Sequence, residues 1–164
     1  CEDVLRDPML HENNTFYHIT CTHFTIYEME IKATFFKHCY SWLKCGGYLI
    51  VHIVDPDKYK KTVPSVENND SMITNTSMDF KDYTYKNNYK SNDEVSVLTE
   101  TFTDKYTDKV RQNEMKLFME PKTNIIEIAN KCGFVTYHET SYKGVIEDSH
   151  QYLVTFLKPL CGDN

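Results

Sequence analysis

Trp42-Leu43-Lys44-Cys45-Gly46-Gly47-Tyr48-Leu49-Ile50-Val51-His52-Ile53-Val54 is the stretch whose reading decides the fold. Tyr48 to Val54 is an apolar run of the kind that forms a parallel strand covered on both faces. Residues 30–44 (EIKATFFKHCYSWLK) predict a helix: Ile31, Phe35, Phe36, Cys39, Trp42 and Leu43 recur at three- and four-residue spacing, with Lys32, Lys37 and His38 facing elsewhere. Gly46 and Gly47 predict its end, because glycine tolerates the left-handed conformation of a helix C-cap. Upstream, Phe16 to Thr22 (FYHITCT) is aromatic, β-branched and nearly uncharged, the pattern of a buried strand. Strand, helix and strand make a βαβ unit, whose crossover is expected to be right-handed.

Lys60 to Ser77 is rich in Asn, Ser, Thr and Asp and lacks periodicity, so it reads as a loop. Three alternating pieces follow: MDFKDYTYK from Met78, EVSVLTETF from Glu94 and DKVRQNEMKLFM from Asp108. Turn-like NN, SND and TD segments separate them, so they read as an antiparallel meander. In the first piece Phe80 is out of phase with Tyr83 and Tyr85, which leaves a bulge and a late start both open. Pro121 suits the first turn of a helix through Ile125, Ile126, Ile128 and Ala129, ended by Gly133. Phe134 to His138 and, after a loop bearing Lys143-Gly144, Gln151 to Leu157 read as strands. No internal repeat is present.

At 164 residues the chain has the length of one domain, with residues 60–120 as an insertion within it. A net charge of −6 argues against non-specific nucleic-acid binding, which requires a basic face. No apolar run approaches the ~18 residues of a membrane span, and no signal-peptide pattern opens the chain, so a cytoplasmic location is expected. The six cysteines include no CxxC pair. Neither a disulfide framework nor a zinc site is expected from them, and Cys21, Cys39 and Cys132 read as small hydrophobes. The chain opens on Cys1 rather than Met, as a segment of a longer chain, a processed product or a trimmed product does.

Three elements carry a family resemblance. Trp42-Leu43-Lys44-Cys45-Gly46-Gly47-Tyr48-Leu49-Ile50-Val51 is similar to a helix–LkPGG–strand signature, with Cys45 at the proline. Ala129-Asn130-Lys131-Cys132-Gly133-Phe134 is similar to an a..aGF element, and Phe16-Tyr17-His18-Ile19 to an fDhI strand opening, with Tyr17 in place of Asp. Together they resemble the C-terminal half of a class I S-adenosylmethionine-dependent methyltransferase. The resemblance implies a Rossmann-like α/β sheet, parallel except for a last strand inserted antiparallel beside the fifth, with an antiparallel β insertion. The fourth to seventh strands of that fold are represented here. The first three, and the Gly-rich loop after the first, are not; Gly46-Gly47 precedes a strand and cannot act as that loop. A further departure is Ile31, where a polar helix start is common.

The resemblance also assigns candidate site residues. Glu2, Asp3 and Val4 match the segment after the third strand, where a carboxylate accepts from the adenine amino group and a backbone NH suits a ring nitrogen. Thr20, Cys21, Thr22 and Phe24 follow the fourth strand, at the carboxyl edge where open α/β sheets bind ligands. Their hydroxyls and aromatic wall suit the methionine end of the cofactor, whose sulfonium favours ring faces. His23 is a candidate general base, and otherwise a solvated loop histidine. His52 reads as a core histidine, Asp55 as a helix cap ahead of Pro56 or a substrate contact, and Arg111 as one half of a cross-strand salt bridge or a clamp on an acidic substrate. Phe80, Tyr83, Tyr85 and Tyr89 either wall an acceptor pocket or pack a sheet face.

The activity implied is methyl transfer from S-adenosylmethionine by the parent protein. This chain would supply the acceptor side and part of the cofactor pocket. The alternative is a non-catalytic, methyltransferase-like module of an assembly. On either reading the strand at 16–22 needs a cover: the missing N-terminal half, a second copy or an assembly component.

Overall fold

The computed structural model describes residues 3–56, 75–91, 95–141, 150–160 and 162. They fall into two compact units, one from residues 1–59 and 120–164, the other from residues 60–119.

The first unit contains β1 (Phe16–Cys21), α1 (Thr25–Glu28), α2 (Lys32–Trp42) and β2 (Leu43–Val54). After the second unit, numbered below as β3 to β6, it resumes with α3 (Lys122–Lys131), β7 (Val135–Ser141) and β8 (Gln151–Leu157). The sheet order is β1-β2-β8-β7. β1 runs parallel to β2, and β8 lies antiparallel to both β2 and β7. Three strands therefore share one direction and the last strand inserts between them against it, as the resemblance implies.

The spacing of α2 explains its place on the sheet, since Phe35, Phe36, Cys39 and Trp42 are all buried. Phe36, Phe134 and Phe156 form an aromatic triad, with centroid separations of 5.8 to 6.2 Å, between α2 and the sheet. Beneath it Leu49, Val51, Ile53 and Val154 are fully buried. At the C-terminal end of α2 the buried Lys158 Nζ donates to the Tyr40 and Leu43 carbonyls at 2.8 and 2.7 Å and to Asn14 Oδ1 at 3.1 Å. These bonds satisfy carbonyls that a helix end leaves without an intrahelical donor.

Several expectations are corrected by the structure. First, Gly46-Gly47 does not end the helix. α2 stops at Trp42, and both glycines lie inside β2, which begins at Leu43. Between the pairs Phe16↔Leu43 and His18↔Tyr48 four residues of β2 face one of β1. The glycines absorb that bulge, Gly46 with φ +79° and Gly47 where a Cβ would stand 2.8 Å from the Lys44 carbonyl oxygen and 3.0 Å from that of Tyr17. Second, β1 is not a buried strand. Tyr17 is 63% exposed, and His18 and Thr20 are exposed too, because among the described residues β1 is a sheet edge.

Third, Lys32 does not face solvent but is 1% exposed. Fourth, Cys45 is disulfide-bonded, contrary to the reading of the cysteines; linear spacing does not reveal which thiols meet in space. Cys1 and Cys161 lie outside the described residues, whereas Cys21, Cys39 and Cys132 are free. Fifth, MDFKDYTYK is a hairpin rather than one strand.

That hairpin opens the second unit, a sheet of order β3-β4-β5-β6 with β3 at Asn75–Asp79, β4 at Tyr83–Ser91, β5 at Ser96–Asp104 and β6 at Val110–Leu117. Phe80 NH donates to the Tyr83 carbonyl in the first turn, which accounts for its phase. The Asn87-Asn88 pair lies within β4, and Asn75 to Ser77 belong to β3 rather than a loop. The rest of the loop read at 60–77 and the loop bearing Lys143-Gly144 lie outside the described residues.

Candidate functional site

The carboxyl ends of β1 and β2 diverge. Their pairing stops at Cys21↔Val51, after which the chain turns through Thr22, His23 and Phe24 into α1. His23 and Phe24 both hold left-handed backbone, with φ 55° and 65°. Such conformations cost of order 1–3 kcal/mol for bulky residues and persist only where the surroundings hold them. Here the holder is Phe24, 6% exposed, its ring 5.2 Å from that of His52. His52 in turn shares a 2.9 Å hydrogen bond between Nε2 and Gln151 Oε1. His23 itself is exposed.

Where β1 has turned away, a side chain takes over its ladder. Tyr27 Oη donates to the Val54 carbonyl at 3.1 Å and accepts from the Val54 NH at 2.8 Å. Burial pushes the Tyr27 phenol well above its ordinary range, and the charges of Asp55 and Glu120 push it the same way. Lys32 Nζ lies 5.9 Å from the Tyr27 ring centre and donates to the Met29 carbonyl at 3.1 Å and to Glu120 Oε1 at 3.4 Å. Burial lowers the Lys32 pKa and Glu120 opposes that. Tyr27 of α1 thus fastens Val54, near the point where the chain leaves the first unit, and Lys32 at the start of α2 fastens Glu120, where it returns.

A groove of about 440 Å³ runs along β1. Val4, Thr20, Cys21 and Thr22 line it, with Met29, Phe35, Cys39 and Trp42 as apolar walls. Its size is that of small-molecule sites. Four of the candidate cofactor residues are therefore brought together. Thr20 and Thr22 are exposed, and burial pushes the Cys21 thiol up to about 12. The Val4 carbonyl is engaged by His38 Nδ1 at 2.8 Å. Asp3 is not in the groove lining; its carboxylate accepts from Leu5 NH at 3.0 Å and meets Arg6 Nε at 3.2 Å. Phe24 is likewise outside the lining, and Glu2 lies outside the described residues.

Local pattern sets Lys32 away from the core and does not mark the role of Tyr27. The one legible signal for Lys32 was a lysine three residues before an aromatic pair on the apolar helix face; its partner Glu120 is 88 positions away. The helix that Asp55 was expected to cap lies outside the described residues. Arg111 forms no salt bridge among the described residues, because the residue across from it on β5 is Phe102.

No family model matches the sequence, and no curated protein matches it. Solved structures do match. An S-adenosylmethionine-dependent methyltransferase from Clostridium acetobutylicum superposes with a TM-score of 0.72 at 18% identity over 99% of this chain. The CcbJ methyltransferase from Streptomyces caelestis gives 0.71 at 9% identity over 96%. CalS10, an amino pentose methyltransferase from Micromonospora echinaspora solved with S-adenosylmethionine bound, gives 0.63 at 12% over 94%. This chain spans 64%, 62% and 62% of their respective lengths. The fold is that of the class I S-adenosylmethionine-dependent methyltransferases.

Proposed function

We propose that a chain with this fold takes part in methyl transfer from S-adenosylmethionine, contributing the acceptor side and part of the cofactor pocket of its parent protein. One observation carries the reading: β8 is inserted antiparallel between β2 and β7, in a chain that superposes on solved methyltransferases over nearly its whole length. It is a fold-level analogy, and the site residues give it chemical content.

The groove fits part of the cofactor. When bound, the cofactor supplies an electrophilic methyl group on a sulfonium. Val4, Thr20, Cys21 and Thr22 form the wall against it, with Thr20 and Thr22 offering hydroxyls at the carboxyl edge. Phe24 holds the loop beneath. Glu2 and Asp3 are the acidic residues for the adenine amino group, and the exposed Asp3 carboxylate keeps acceptor positions beyond those used by Leu5 NH and Arg6. His23 stands exposed on the same loop and can take a proton from an acceptor that has to lose one. Most of the rate advantage on this reading comes from alignment of acceptor and methyl group.

The exposed edge of β1 is completed by further strands: the missing N-terminal half, a second copy or an assembly component, with no role for nucleic acid or membrane and a cytoplasmic location. No helix among the described residues is long and apolar enough to cross a membrane. A non-catalytic module is the second reading, favoured by the engagement of Asp3 within its own turn.

Calorimetric titration of S-adenosylhomocysteine separates the two. The native polypeptide that carries this chain is expected to bind it, and the 164-residue chain alone weakly or not at all. Failure of the native polypeptide to bind selects the module, and sub-micromolar binding by the chain alone overturns the shared pocket.

A further inference from the structure

In the 60–119 unit, strand alternation sends Tyr83, Tyr85, Phe102 and Arg111 to one face of the sheet, and Phe80 joins them from the turn after β3. Phe80 stacks on Tyr83 with centroids 4.7 Å apart, and Phe102 lies 5.9 Å from Tyr83 and 5.0 Å from Tyr85. Phe80 and Tyr83 remain 39% and 37% exposed. An open groove of about 510 Å³ crosses this face, with Tyr83 and Phe102 on one side and Lys109 and Arg111 on the other.

The charges in the groove are unequal in availability. Asp104 also lines it, but its Oδ1 already accepts from the Tyr106 and Thr107 amides and the Thr107 hydroxyl at 2.8 to 2.9 Å. Those bonds hold its carboxyl below the usual range, so it stays ionised, and with Lys109 and Arg111 the lining carries one net positive charge. Arg111 is exposed, and neither its side chain nor that of Lys109 has a hydrogen-bond or ion-pair partner among the described residues. In a chain of net charge −6, two available cations beside an exposed aromatic row are suited to an anion that carries a ring. Guanidinium offers a planar fork to a carboxylate or phosphate, and the neighbouring rings offer stacking surface.

We propose that this face binds a small anionic molecule with a planar ring, the ring lying on Tyr83 and Phe102 and the anionic group on the Arg111 guanidinium. Its identity as the class of methyl acceptor rests on the methyl-transfer reading; its existence as a binding site does not.

The test is an NMR titration of the 164-residue chain with benzoate, using benzamide as the neutral ring and inorganic phosphate as the ringless anion. Saturable shifts at Tyr83, Phe102 and residues 109–111 with benzoate are expected, with at least tenfold weaker binding of either control. Arg111→Gln is expected to weaken benzoate at least tenfold, Arg111→Lys by less, and Lys86→Gln on the opposite face not at all. Equal binding of benzamide, equal loss in Lys86→Gln, or no saturable benzoate shift overturns the proposal. A parallel titration of the native polypeptide with S-adenosylhomocysteine separates the two claims: benzoate binding without cofactor-product binding removes the acceptor role alone, and the reverse removes only this site.

Discussion

A single hydroxyl, that of Tyr27, satisfies both the NH and the carbonyl of Val54, at 2.8 and 3.1 Å, and so does for the end of β2 what β1 does for its middle. It lets the two strands part at their carboxyl ends without leaving buried backbone groups orphaned.

Tyr27→Phe keeps the ring and removes both bonds. Two buried backbone groups lose their partner, so a loss of about 1–3 kcal/mol is expected by urea denaturation. Hydrogen exchange should place the loss at the end of β2. A change below about 0.5 kcal/mol contradicts the clamp.

Gly47→Ala puts a methyl 2.8 and 3.0 Å from two backbone carbonyl oxygens that cannot move aside as a side-chain tip can. Overpacking of this kind costs about 1–3 kcal/mol. The loss should appear as a lower thermal midpoint, with β1 amides exchanging faster than those of β8. An unchanged midpoint argues against the bulge.

Lys158 tests the polar staple at the end of α2. Burial lowers its folded-state pKa below 10.5, so the unfolded chain binds more protons as pH rises through that window, and stability rises with it. In Lys158→Met the rise disappears and three oxygens lose their donor, a loss of about 1–3 kcal/mol at neutral pH. Urea midpoints of both proteins between pH 7 and 10.5 check the slope and its sign.

Cys21 and Cys39 are buried, and burial raises both thiols, Cys21 to about 12. Thiolate is the reactive form, so at pH 8 neither is expected to react with Ellman's reagent until the protein unfolds. Prompt labelling of Cys21 in the native state contradicts its burial.

The outward amides of β1 have no strand partner among the described residues. They are expected to exchange rapidly in the 164-residue chain and slowly in the native polypeptide or assembly. Protection in a chain shown by light scattering to be a monomer means that some other segment of it already covers the edge.

Much of this fold was legible because it is written in short-range patterns. The three-and-four spacing of Phe35, Phe36, Cys39 and Trp42 gave α2, and the apolar run Tyr48–Val54 gave most of β2. The direction of β8 came from the family resemblance rather than from its residues. What stayed hidden depends on pairing across the chain. Gly46-Gly47 is a helix stop by local propensity, and only the register with β1 makes it a bulge. Lys32 is polar in isolation, and partners distant from it in the chain or met only in the fold, Met29 and Glu120 among them, make its burial tolerable. At the site, Thr20, Cys21 and Thr22 could be placed from the end of a strand, and Val4 from the resemblance. Tyr27 could not, since no pattern announces that a hydroxyl will complete a ladder.

Photolabelling can locate the cofactor on the chain. Methyl-labelled S-adenosylmethionine is irradiated with the native polypeptide, and the labelled peptide is mapped by mass spectrometry, with S-adenosylhomocysteine as competitor. Competitor-sensitive label is expected on the peptide containing Thr20 to Phe24. Label confined to other segments, or label that the competitor does not displace, would contradict it.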